Sequence, residues 1–133
     1  MVKRLLEQGW IEIEGKRISL DEVSWVRKGD SVAIVIDTRF CQQAIDIARD
    51  ARLLLCESTY LESERDLAWA HYHLTAKQAA TIAKEANVQQ LVLTHYSARY
   101  PFAQDFEREA REVFPNSSAA EDLKVFPFPR NTP

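Results

Sequence analysis

Three apolar runs, Ser31–Ile36, Arg52–Cys56 and Leu91–Leu93, have the length of buried strands and are separated by segments of helical periodicity. Parallel strands need a crossover, so strand, helix, strand implies an α/β sheet wound in the right-handed sense. Two of the runs stop abruptly in polar chemistry. Ser31–Ile36 gives way to Asp37-Thr38-Arg39, and Leu91-Val92-Leu93 to Thr94-His95-Tyr96-Ser97-Ala98-Arg99-Tyr100. A strand end holds a ligating side chain rigidly, and the loop beyond it meets solvent, where a substrate arrives. The residues alone leave two accounts open. Asp37 and His95 share a metal-compatible site, or Asp37 caps the next helix and His95 is a hydrogen-bonded loop residue.

The remaining punctuation fills in the order of elements. Trp10–Ile13 and Arg17–Leu20 flank Glu14-Gly15-Lys16 as a small hairpin within a lead-in of alternating strand and turn signals. Lys28-Gly29-Asp30 reads as a turn into the first long strand. Helices are expected over 42–51, 61–70, 75–87 and 104–113, with Thr75 as an N-cap and Asn87 at a left-handed C-terminus. A last strand is expected at Leu123–Phe128, before a proline-marked tail. The organisation is a single domain over 1–133: a hairpin lead-in (1–30), an α/β core (31–128) and a tail (129–133).

Composition excludes several classes. An apolar share of 46% suits a packed globular domain rather than a disordered chain. A net charge of −3 is not that of a general nucleic-acid-binding module. Cys41 and Cys56 lack metal-knuckle or disulfide-framework spacing, and Cys56, ending a strand, reads as a buried thiol. No apolar stretch approaches the roughly 20 residues of a membrane span, and no signal-peptide core is present, so the expected location is cytoplasmic.

Four motifs, in order, resemble one family. The segment around His95 resembles the late motif of the ribonuclease Z family, tRNA 3′-end-processing endonucleases of the metallo-β-lactamase superfamily. Asp37-Thr38-Arg39 resembles its aspartate motif, Cys56-Glu57-Ser58-Thr59 its His-Glu-Ala-Thr loop, and His73-Leu74-Thr75-Ala76 its His-Ser-Thr loop. Gln78-Ala79-Ala80 and Ala119-Ala120-Glu121-Asp122-Leu123 also sit where that family has similar residues. The likeness runs from about Leu5 to Phe128 and concerns the family's C-terminal half.

That resemblance implies an αββα sandwich, with this chain as its C-terminal half. It implies two zinc ions about 3.5–4 Å apart performing phosphodiester hydrolysis. Asp37 would bridge the metals and His95 would complete one shell. Glu57 and His73 would form a catalytic pair that passes a proton to the leaving 3′ oxygen. Arg99, with Ser97, would meet substrate phosphate; the alternative for Arg99 is a surface salt bridge, for Glu57 an exposed loop charge, and for His73 an ordinary surface residue. The implied substrate is the 3′ trailer of precursor tRNA. The family's principal metal motif, His-x-His-x-Asp-His, belongs to its N-terminal half, and the three histidines here, at 71, 73 and 95, do not supply it. His71-Tyr72-His73 imitates a metal pair but lacks the trailing Asp-His.

The chain also departs from the pattern. Ile36 stands for the glycine before the aspartate, Cys56 for the loop histidine, Tyr72 for the glycine before His73, and Leu74 for the following serine. A β-branched Ile36 would displace Asp37 if that position needed a positive φ. The expected partner is a complementary N-terminal half or a second copy of the chain. The alternatives are a non-catalytic partner module and a hydrolase of another ester.

Overall fold

The computed structural model describes residues 1–27 and 29–130. Lys28 of the expected turn and residues 131–133 of the expected tail lie outside them. The centre is a four-stranded parallel sheet, β3 (Val32–Val35), β4 (Leu53–Glu57), β5 (Gln90–Thr94) and β6 (Ser117–Ala119), in that spatial order. Three helices, α3 (Gln42–Ala48), α5 (Ala76–Glu85) and α6 (Gln104–Arg111), pack on it. Ahead of the sheet stand α1 (Val2–Gln8), the hairpin β1 (Trp10–Ile13) and β2 (Lys16–Ser19), and α2 (Leu20–Val23).

The alternation of side chains along each strand decides the core. Ala33 and Val35, Leu54 and Cys56, and Leu91 and Leu93 point to the helices and are buried. Against them α5 presents Ala76, Ala79, Ala80, Ile82 and Ala83, small residues that let the helix lie close to the sheet. Phe106 of α6 is fully buried between Tyr96, 4.6 Å away, and Tyr100, which meets it edge-on at 5.0 Å. Thr75 caps α5 as the sequence implies. Its hydroxyl accepts the Gln78 N–H, and the Gln78 side chain accepts the Thr75 N–H in return. Beyond the helix Asn87 takes φ 56.

The opposite sheet face is unequally covered. Register aligns Ile34, Leu55, Val92 and Ser118 in one row and Val32, Leu53 and Gln90 in the next. Val32 and Ile34 are 55% and 59% exposed, and Ile36 beyond the strand is 42% exposed. Described residues thus place helices on one face and leave the β3 side of the other bare.

Several sequence expectations need correction. Leu123–Phe128 is not a strand. Leu123 and Val125 are almost fully exposed, while the strand beside β5 is Ser117–Ala119. The lead-in is not only strand and turn, because α1 and α2 flank the hairpin. The expected helix over 61–70 is a 3₁₀ turn at Glu62–Glu64 followed by α4 (Arg65–Ala70). Strand β4 continues through Glu57 rather than ending at Cys56.

Candidate metal and acid-base site

Parallel strands deliver their C-terminal ends to one edge of the sheet, where crevices form. Asp37 follows β3, Glu57 closes β4 and His95 follows β5, while His73 arrives in the turn between α4 and α5. These four side chains come together. His95 Nε2 is 3.5 Å and His73 Nδ1 3.8 Å from Asp37 Oδ1, and His73 Nδ1 is 2.9 Å from Glu57 Oε2.

Glu57 is the hub, and its account as an exposed loop charge fails: the side chain has 0% exposure. Its Oε1 accepts the Thr38 N–H at 2.7 Å. Its Oε2 accepts the Leu74 N–H at 3.2 Å, the Thr59 hydroxyl at 2.8 Å and, at 2.9 Å, the His73 Nδ1 proton. Buried polar groups persist where they are satisfied in this manner, and here the donors come from three separate loops. The carboxylate therefore fastens those loops to one another.

The same network allots protons to both imidazoles. The Thr59 hydroxyl gives its hydrogen to Glu57, so its lone pair takes the Nδ1–H of His95, 2.9 Å away. His95 Nε2 is left with a lone pair toward Asp37. His73 commits Nδ1 to Glu57, which leaves only Nε2 for other work. Thr59, which bridges Glu57 and His95, is a residue that sequence reasoning did not single out, although it stands two positions after Glu57 within a quoted motif.

Whether this donor set fits a metal can be tested on distance. Tetrahedral zinc with ligand bonds of about 2.0–2.2 Å separates neighbouring donor atoms by about 3.4 Å. The 3.5 Å between Asp37 Oδ1 and His95 Nε2 matches such an edge. One ligand atom each from Asp37, His73 and His95 lie within 4.8 Å of one another. His73 commits Nδ1 to Glu57, so only its Nε2 is open to such an ion. Asp37 and His95 fit a divalent ion but cannot close a four-coordinate shell.

The local backbone is strained where the loops carry these groups. Asp37, Tyr72 and His95 adopt φ of 54, 64 and 58. Asp and His tolerate this left-handed region, whereas a bulky Tyr there costs about 1–2 kcal/mol. The positive φ expected to trouble Ile36 falls instead on Asp37. Ile36 therefore imposes no displacement, while Tyr72 does sit where glycine would be free of cost.

Other candidates lie at the margin. Arg99 pairs with Glu64 and lies 5.4 Å over the Tyr60 ring, so the surface salt bridge is the contact observed. The Ser97 N–H donates to the Thr59 carbonyl at 3.0 Å, tying the His95 loop to the Glu57 loop. His71 stacks on Tyr60 at a centroid distance of 6.5 Å, outside the cluster. Cys56 faces the core, and burial, with the neighbouring Glu57 charge, pushes its thiol far up, so it offers the site no ligand. Beside His95 a cleft of about 670 Å³ opens between that loop and Ala120–Leu123.

No protein-family model matches the chain. A ribonuclease Z of Protochlamydia amoebophila is 61% identical over 128 residues, 96% of this chain and 42% of that protein. The short form of human tRNase Z superposes with a TM-score of 0.60 at 27% identity, covering 86% of this chain and 37% of that one. The metallo-β-lactamase-fold protein YhfI of Bacillus subtilis gives 0.64 at 25% identity, with 69% and 37% covered. The chain spans less than half the length of these proteins. Its parallel sheet and helices correspond to part of their common fold.

Proposed function

Because nearly the whole chain shares its sequence with part of ribonuclease Z, and its fold with part of the metallo-β-lactamase architecture, we propose that it supplies one portion of a tRNA-processing endoribonuclease site. The proposed reaction is cleavage of the 3′ trailer of precursor tRNA, in the cytoplasm. The observation that carries this reading is the buried Glu57–His73 pair set beside the open Asp37–His95 edge. In this reading the pair would serve as proton donor and the edge would contribute two side chains to a metal shell.

In this reading Asp37 and His95 hold zinc together with ligands from a complementary N-terminal half bearing His-x-His-x-Asp-His. Two ions are expected, and when bound they supply Lewis acidity toward a phosphate ester and lower the pKa of water. The rest is the chain's own work. Glu57 accepts the His73 Nδ1 proton and orients its ring; in the imidazolium form the ring carries a second proton on Nε2, which passes to the departing 3′ oxygen and leaves the neutral Nδ1–H tautomer behind. Thr59 holds His95 so that Nε2 remains a donor to metal. Arg99, released from Glu64, would meet phosphate, and Ser97 shapes the turn that presents it.

The bare outer row of β3 suits a complementary half. Burying apolar area contributes roughly 25 cal/mol per Å², so Val32 and Ile34 favour a covered sheet. A second copy covering that face, with no catalysis, is the alternative that the same row supports. The test joins this chain to the remaining portion of the Protochlamydia relative in the presence of zinc. Trailer cleavage and about two zinc ions per site are expected of the joined protein, with substoichiometric zinc in the chain alone. A joined, metal-loaded protein that leaves precursor tRNA intact defeats the reading.

A further inference from the structure

Arg39 lies just past Asp37 yet makes its contacts on the other side of the site. Its Nε–H donates to the Trp69 carbonyl at 2.7 Å. Its guanidinium carbon sits 4.3 Å from the Trp69 ring centroid and 3.9 Å from that of Tyr72. Both rings are largely exposed, at 59% and 62%, so no core packing holds them. A planar cation between two aromatic faces is a specific arrangement, and guanidinium is the side chain best shaped for it.

The gripped residue is the strained one. Tyr72, at φ 64, immediately precedes His73 in the chain. Backbone bonds tie the turn on either side of it: its own N–H reaches the Trp69 carbonyl at 3.4 Å, the His73 N–H meets the Ala68 carbonyl at 2.8 Å, and the Leu74 N–H meets Glu57 at 3.2 Å, but none of these holds the Tyr72 ring. A left-handed tyrosine persists only where its surroundings over-determine it. Arg39 supplies the constraint on the ring itself, from the loop that carries Asp37. It binds the α4 carbonyl and the Tyr72 ring at once, and so couples the Asp37 loop to the His73 turn.

We propose that Arg39 is a positioning residue for His73. The stack holds Tyr72 in the left-handed region and thereby aims the imidazole at Glu57. The importance of that aim rests on the proposed role of His73 in cleavage. The coupling itself does not. A glycine at 72 would need no clamp, so Arg39 matters only while tyrosine stands there.

The test is a double-substitution cycle on the full chain, read by the ¹⁵N-edited resonance of the His73 Nδ1 proton, which reports its bond to Glu57. The native chain and Tyr72→Gly should both show this proton protected from exchange with water. Arg39→Ala should lose it at temperatures where the chain is still folded, and Arg39→Lys should retain it weakly. Tyr72→Gly combined with Arg39→Ala should recover it. An Arg39→Ala protein that keeps the protected proton overturns the proposal, as does a double variant no better than Arg39→Ala. If Arg39→Ala does not fold, the contrast between Arg39→Lys and its Tyr72→Gly counterpart decides in the same way. The experiment needs neither metal nor RNA, so its outcome stands whether or not precursor tRNA is cleaved.

Discussion

Glu57 and Asp37 are carboxylates at the C-terminal ends of neighbouring strands, yet the first is fully enclosed and the second stands 68% exposed. Glu57 has every oxygen engaged by donors from its own chain. Asp37 faces two imidazoles at 3.5 and 3.8 Å and makes no shorter contact with either. The contrast separates two kinds of carboxylate. One is finished by contacts that the fold brings from other loops and contributes to stability. The other is presented unfinished, for a partner or an ion to complete, and contributes little until that happens.

The sharpest way to break this comparison is Asp37→Asn, which keeps a residue tolerant of positive φ. Cleavage by the completed enzyme should vanish and metal content should fall, while the stability of the chain to unfolding stays within about 0.5 kcal/mol of the original. A large loss of stability would place Asp37 among the structural residues instead. Next in size, His73→Ala should slow hydrolysis by about 10²–10⁴-fold with zinc retained, as measured by elemental analysis beside single-turnover rates. If zinc leaves as completely as with Asp37→Asn, then His73 is a ligand and the division drawn through the site is misplaced.

Glu57→Leu probes the enclosed side. It strands the Thr38 and Leu74 amides, and buried donors without partners cost about 1–3 kcal/mol each, so urea denaturation should show a loss of about 3 kcal/mol or more. Tolerance of leucine at this position would mean that the three loops hold one another without the carboxylate. The smallest expected effect concerns Glu64. The Tyr100 hydroxyl, more than Arg99, holds its carboxyl below the ordinary value of 4.5. A depressed folded value means that stability is present above the ordinary value and is lost as pH falls through the folded one. Glu64→Gln should therefore flatten the acid limb of a stability-versus-pH curve slightly; an unchanged limb would show that the Tyr100–Glu64–Arg99 clip is not maintained in solution.

Much of this fold can be read from periodicity. The three apolar strands and the helices between them stand near their expected places because the side chains that define them are those that bury. The capping box at Thr75 is equally legible. Strand β6 is not. Ser-Ser-Ala has no β signature, and tertiary contacts install it: Arg111 Nε donates to the Ser117 carbonyl, and the Ala119 N–H to the Glu107 carboxylate. Leu123–Phe128 has the better strand composition but finds no neighbouring strand among the described residues. Helix α1 was legible in principle, since Gly9 at φ 76 ends a run of good helix formers. The order of motifs brings out Asp37, Glu57, His73 and His95. The burial of Glu57 and the mediation of Thr59 depend on three loops closing together, which no local pattern encodes.

The bare row on β3 also bears on how the chain survives its own synthesis. Val32-Ala33-Ile34-Val35-Ile36 is an uncharged, proline-free stretch of mostly β-branched residues on an edge strand with an open face, a composition that templates aggregation. Its nearest charges are Asp30 on one side and Asp37 on the other, the positions where gatekeeper residues interrupt intermolecular strand pairing. A stretch bracketed by two like charges pairs less readily with a copy of itself than the same stretch without them.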